Sequence, residues 1–555
     1  MKKLISVLLT ALMLFSITAP VVNAAAAEAQ ATPIVYLRGN GEKLYNADGE
    51  EVIADIGDLT LEGDGEDTKN KVVEAAVNIL LPFFIEGLRY DEWDNYGKAI
   101  YDEISPLFED SILDGNGNPR NGTGVHPDAL KKSEEKATKN LISNGKYGFF
   151  AYMFCFDWRL DPYEHVDRLH EYIKTVMRST GKSQVSLSSR CLGGSLLNAY
   201  LEKYGNLGHI KNVMYCETLS DGCNVISKGF SGQIEIDAKS LQRYEGQLTY
   251  CDEIGFGIGF GIPEIADRII IDTLDVLTQT GVMDIFTGKI EDLYARLYRA
   301  LLPALFHAFG YASQPIYWTL VEDEDFDLAL DVMFGEKGSE ARVYFAGLIE
   351  KIQNYREKVT SRRDELYRAC SEDYGIHMGV IAKYGMLNAP FTVGYDDLSD
   401  SLVSLKDSSL GATCAKTGST LSEAYIAERT ADGYGDYISP DKQVDTSTCM
   451  FPDTTWVIKN VHHDDFDPIC RVLAEEFLNG TEVTVENSSF ARFRVNSYEE
   501  GSVEDMTEEN CGDLEFVGRS VAEPDMASKL AALIRLITGF FNLIRMIITG
   551  KISLF

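Results

Sequence analysis

Several common functional signatures are missing from this chain. Its ten cysteines include no C-x-x-C pair and no paired Cys/His set, which leaves no zinc framework. Positive charge is scarce: a formal net charge of −35 repels a phosphate backbone and argues against nucleic acid as a partner. No G-x-G-x-x-G opens a helix. The glycines of "GFGIGFGIP" alternate instead, and no acidic residue follows at the spacing a dinucleotide site needs. "DGNGNPRNG" (114–122) loosely mimics a calcium loop. Pro119 stands where the invariant glycine belongs and Val125 fills the twelfth position, so a turn-rich loop is expected. No metal and no cofactor is expected.

What is present begins with an export signal. Met1-Lys2-Lys3, an apolar run through Ile17 and the small-x-small site Val22-Asn23-Ala24 read as a Sec signal peptide, residues 1–24. The expectation is a bacterial protein that is secreted or held at the cell surface. If Cys191 is a free thiol, nine cysteines remain and at least one more is unpaired, with Cys414 and Cys449 a candidate bridge.

Six β-rich runs alternate with helical periodicity: 32–39, 148–158, 183–191, 210–218, 376–385 and 454–461. This pattern predicts an α/β fold with a mostly parallel sheet. The alternation breaks between Thr218 and Ile376, where aromatic and leucine content is high. Residues 219–375 read as an inserted, mainly helical cap, either packed on the core or serving as a lid over an apolar substrate. The core is then expected in two parts, 32–218 and 376–500. From 525 to 555 the chain reads as a cationic amphipathic helix, with Arg535 and Arg545 on its polar face and Leu533, Ile537, Phe540 and Ile544 opposite. The two arginines argue against a spanning helix. A membrane-surface contact through 529–555 and docking on the protein's own core both remain open.

Ser189-Arg190-Cys191-Leu192-Gly193-Gly194 lies between a β-rich run and the helical "LLNAYLEKY". A nucleophile elbow needs small residues two before and two after its tip, because larger ones strike the neighbouring strand and helix. Ser189 and Gly193 meet that demand and set the tip at Cys191. A buried structural cysteine is the plainer account of any single cysteine, and the strand-turn-helix context favours the elbow. A thiol at a helix start beside the cation of Arg190 has two devices that favour the thiolate.

Three further stretches, in order, match one family. "PIVYLRGNGEKLY", "FCFDWR" with its following helix, and "FPDTTWVIKNVHHDDF", together with the elbow, resemble the lecithin:cholesterol acyltransferase family of α/β-hydrolases. The resemblance spans roughly 33–218 and 376–480. It implies an α/β-hydrolase fold and a lipid-ester acyl hydrolase or O-acyltransferase, with an acyl-ester substrate. It implies Cys191 as nucleophile, His463 as general base with His462 the alternative, and Asp436 as the acid with Asp432 second. The oxyanion donors would be the backbone N–H groups of Leu192 and of Asn40 or Gly41. The chain departs from the family in carrying cysteine for serine, Arg190 before it, and no leading proline in the oxyanion loop. Dienelactone hydrolases resemble it in the elbow cysteine. Loss of the serine also fits a silent binding protein on the same scaffold.

Overall fold

The computed structural model describes residues 31–39, 43–52, 92–130, 139–142, 149–235, 290–390, 392–465, 468–480, 482–497 and 502–516, with scattered positions in 78–90 and 240–251. The signal segment, "GFGIGFGIP" and the C-terminal amphipathic segment lie outside them. No helix among the described residues is long and apolar enough to cross a membrane.

The architecture is α/β. Nine strands form one sheet: β1 (Ile34–Leu37), β2 (Lys139–Ile142), β3 (Phe149–Met153), β4 (Val185–Cys191), β5 (Ile210–Thr218), β6 (His377–Tyr384), β7 (Thr455–Lys459), β8 (Phe493–Ser497) and β9 (Ser502–Asp505). Their order across the sheet is β9-β8-β7-β6-β5-β4-β1-β3-β2. All pairings are parallel except β2–β3 and β8–β9 at the two edges. The six runs read from the sequence coincide with β1 and β3 to β7. Those inner strands are β-branched and aromatic because helices cover both faces of a parallel sheet. Three strands escaped the reading: "KNLI" and "SVED" at the two edges are short and charged, the composition that protects an edge from pairing with another chain, and "FRVNS" lies between β7 and β9. With β9 the sheet runs to Asp505, past the expected boundary at 500.

Helices α1 (Asp94–Ile104), α2 (Tyr163–Thr180), α3 (Gly193–Tyr204), α4 (Asn224–Phe230), α5 (Ile290–Ala308), α6 (Phe326–Phe334), α7 (Ala346–Lys358) and α8 (Pro468–Asn479) supply the other layers. The α2 helix buries Val166, Leu169, Ile173 and Val176 at three- and four-residue spacing and ends on Gly181 at φ 68°. On the opposite face Leu473, Ala474 and Phe477 of α8 pack against Ile381 and Trp456. The described part of 219–375 contains helices and no strand. Its Phe230, Phe306, Trp318 and Phe326 join the same apolar core as the α3 residues Leu196 and Leu197, so these aromatics are packing residues. Tyr355 Oη donates to Ser195 O at 3.0 Å, and Ser195 Oγ meets Thr319 Oγ1 at 2.6 Å.

The Asp-Trp-Arg stretch is a buried brace. Arg159 Nη2 pairs with Asp157 Oδ2 at 2.7 Å and donates to Thr123 O at 3.1 Å, while Nη1 reaches Asp110 O at 3.0 Å. The loop at 114 is turn-rich as expected, with Asp114 Oδ1 accepting from the N–H groups of Asn116 and Asn118. Cys414 and Cys449 are both free thiols, as are Cys155, Cys191, Cys216, Cys223, Cys251, Cys370 and Cys511, so the candidate bridge is not formed.

Candidate active site

The chain lays β3 on one side of β1 and β4 to β8 successively on the other, so the connections diverge at β1 and β4. In open α/β sheets that divergence leaves a crevice at the carboxyl ends of the strands, where ligands bind. Cys191 is the last residue of β4, at that point.

The elbow is built by close approach. Cys191 has φ 51°, a left-handed conformation that costs a side-chain-bearing residue about 1–2 kcal/mol. The β4–β5 register breaks there: Arg190 faces Cys216 and Cys191 faces Thr218, which skips Glu217. A Cβ on Gly193 would sit 2.3 Å from Leu37 O, and one on Gly39 would sit 2.9 Å from Cys191 Cβ. Only glycine lets the end of β1 cross over the elbow at that distance. Ser189 is fully buried, as a position two before the tip should be. Cys191 is partly exposed and stands at the start of α3, where the N–H groups favour negative charge. Leu192 N lies 3.1 Å from where a Gly39 Cβ would be, beside the end of β1. Asn40 and Gly41 lie outside the described residues.

Past β7, Asn460 at φ 61° turns the chain back over the sheet and delivers two histidines. The structure separates their roles. His463 is buried, and its Nδ1 lies 2.8 Å from Asp400 Oδ2. Its own N–H donates to Asp400 O at 2.8 Å. Its Nε2 is buried and meets no partner at full hydrogen-bond geometry, the Cys191 thiol being the group that bears on the ring besides Asp400. Burial opposes the charge on this ring, but Asp400 and the Cys191 sulfur outweigh it and raise its pKa well above the usual histidine range. His462 Nδ1 accepts instead from the Asp464 N–H at 3.1 Å, and burial lowers its pKa to about 4. It caps a turn.

The carboxylate beside His463 is that of Asp400, where Asp436 or Asp432 was expected. Asp436 is exposed on a single 3₁₀ turn and Asp432 is exposed at the end of a surface helix, whereas the carboxylate on His463 Nδ1 belongs to Asp400. Asp400 is fully buried, and its Oδ1 accepts from the N–H groups of Leu402 and Val403 at 3.1 and 2.8 Å. Burial pushes its pKa up, and the imidazole, those donors and Lys383 more than reverse the push, leaving it lowered. Position carried the missing signal: "YDDLSDSL" (395–402) lies in the loop after β6, the strand before the histidine strand.

Arg190, expected as a cation beside the thiol, also makes contacts away from it. Its Nε lies 2.9 Å from Glu217 Oε2, and its Nη2 donates to His463 O at 2.6 Å. Glu217 Oε1 in turn lies 2.7 Å from Lys383 Nζ, both side chains being fully buried. Glu217 and Lys383 went unnoticed in the sequence, although a charged residue inside a buried strand run such as "VMYCET" or "VIAKYG" is itself a signal.

A partly exposed thiol, a buried imidazole with no full hydrogen bond on Nε2 and a buried carboxylate on Nδ1 can move a proton and make a covalent bond to sulfur. No family model matches this chain, and no curated protein does. Among solved structures, a chain of the Tle4–Tli4 complex is similar at 14% identity and a TM-score of 0.23, over 63% of this chain and 75% of that one.

Proposed function

We propose that the chain is an α/β-hydrolase-fold acyl hydrolase or O-acyltransferase acting on lipid esters through Cys191, His463 and Asp400, with 219–375 as its cap. The carrying observation is His463 itself: Nδ1 is held by a buried carboxylate at 2.8 Å while Nε2 meets no partner at full hydrogen-bond geometry. The Cys191 charge is felt at that ring. Apo sites often show the nucleophile–base contact before it tightens.

In this reading the raised His463 pKa keeps the Cys191 proton on Nε2 in the resting site, and the thiolate attacks the ester carbonyl carbon. The resulting oxyanion lies toward the Leu192 N–H and the β1 loop. Collapse breaks the C–O bond, and the imidazolium gives its proton to the leaving alcohol. The thioester then passes its acyl group to water or to a second alcohol, deprotonated by the same Nε2, and Cys191 is restored. Asp400 holds the Nδ1–H tautomer and stabilises the charged ring. The lipid class and export rest on the sequence resemblance, the signal segment and the cationic amphipathic stretch at 529–555. A silent binding protein has no use for a buried Asp–His pair aimed at the elbow, and this favours activity.

The test is turnover of short and long p-nitrophenyl esters by the mature protein beside Cys191→Ala and Cys191→Ser. The expected result is loss of turnover in the alanine variant and a thioester mass on Cys191 in the wild type. Equal rates for wild type and Cys191→Ala would end the proposal.

A further inference from the structure

Three neighbouring strands end in one buried charge cluster that the acyl-transfer steps do not use. Arg190, Glu217 and Lys383 are the penultimate residues of β4, β5 and β6. Because β4, β5 and β6 are adjacent and parallel, the three side chains meet above their carboxyl ends. The Glu217 carboxylate divides between the two cations, Oε2 to Arg190 at 2.9 Å and Oε1 to Lys383 at 2.7 Å. Each cation then turns outward to a carbonyl of the histidine loop. Arg190 Nη2 donates to His463 O at 2.6 Å, and Lys383 Nζ donates to Asp465 O.

We propose that Glu217 is a positioning residue: through Arg190 and Lys383 it holds the backbone from His463 to Asp465 in register with the Cys191 thiol. The inference rests on the acyl-transfer reading and extends it to residues that touch no substrate. Desolvating an ion pair returns little net stability against an apolar replacement of equal volume, so a buried triad is poorly explained by stability alone. Its two outer ends fall on the carbonyls of the loop that carries the base. Glu217, like Cys191, is held at φ 51°, and such left-handed non-glycine residues cluster at functional sites. The Asp400 carboxylate fixes the ring from one side, and the clamp fixes the backbone from the other.

The experiment compares the mature wild type with Glu217→Gln and Arg190→Lys. It measures kcat and KM on p-nitrophenyl butyrate, and the pH dependence of iodoacetamide alkylation read by mass at the Cys191 peptide. A misplacement of about 1 Å costs about 10²-fold, so Glu217→Gln should lose about that in kcat with KM little changed. Its Cys191 alkylation should slow along with kcat. Arg190→Lys should follow it, because one ammonium cannot span Glu217 and the His463 carbonyl. A folded Glu217→Gln with kcat within about threefold of wild type overturns the proposal. So does full kcat in Arg190→Lys, which would show that charge beside the thiol is all that matters. Should Glu217→Gln fail to fold, Arg190→Lys decides, since Arg190 keeps 20% of its side chain exposed. A wild type whose Cys191 alkylation slows on Glu217→Gln and that hydrolyses no ester would retain the clamp and refute acyl transfer.

Discussion

Replacing Asp400 by asparagine tests the site most directly, because the structure dictates how the amide must sit. Oδ1 of Asp400 accepts two backbone N–H groups, from Leu402 and Val403, at 3.1 and 2.8 Å. The amide oxygen of the substituted side chain has to take that seat, which turns its NH₂ toward His463 Nδ1. Nδ1 must then accept, and the ring proton moves to Nε2, the atom that should receive the proton of Cys191. The same carboxylate-to-amide exchange in a Ser-His-Asp triad lowers kcat by about 10⁴-fold through the wrong tautomer, or about 5.5 kcal/mol at 1.36 kcal/mol per tenfold. A thiol ionises more readily than a hydroxyl, so the loss here should reach about 10³-fold or more. The assay is steady-state hydrolysis of p-nitrophenyl butyrate, with circular dichroism to show that fold is kept. Asp436→Asn is the control and should leave kcat unchanged. An Asp400→Asn enzyme within about tenfold of wild type, or an equal loss in Asp436→Asn, would refute the assignment.

The remaining predictions concern stability and the elbow. His463 has its pKa raised and Asp400 has its pKa lowered on folding. The imidazole therefore contributes stability in full below about pH 6.5, lost as pH rises through its raised folded value. The carboxylate contributes above about pH 3.9, lost as pH falls through its lowered one. The urea midpoint of wild type should exceed that of Asp400→Asn most between about pH 4 and 6.5 and converge with it in alkali; a constant gap would show that the pair is not charged. In Gly193→Ala the new Cβ meets Leu37 O at 2.3 Å, a backbone atom that cannot swing aside. Thermal melts should show about 1–3 kcal/mol lost together with Cys191 reactivity, and an unperturbed melt would contradict the packing of β1 over the elbow.

The elbow and the histidine were legible for local reasons. A strand, a tip and a helix fixed by small residues at set spacing form a short, contiguous motif, and the six inner strands announce themselves by buried β-branched and aromatic runs. The strand-to-helix turn therefore follows from the residues alone, and so does the seat of Cys191. The carboxylate beside His463 was not legible in this way. Asp400, Asp432 and Asp436 all stand in polar turns between the last inner strands, and turns use aspartate freely; only the packing of the loop after β6 against the histidine loop puts one carboxylate on Nδ1. Glu217 and Lys383 lie far apart along the chain, with the whole of 219–375 between them, and they meet because β5 and β6 are neighbours in a parallel sheet. Spacing along the chain settles what each segment is, while which charges face one another is decided by strand order, a property no short stretch contains.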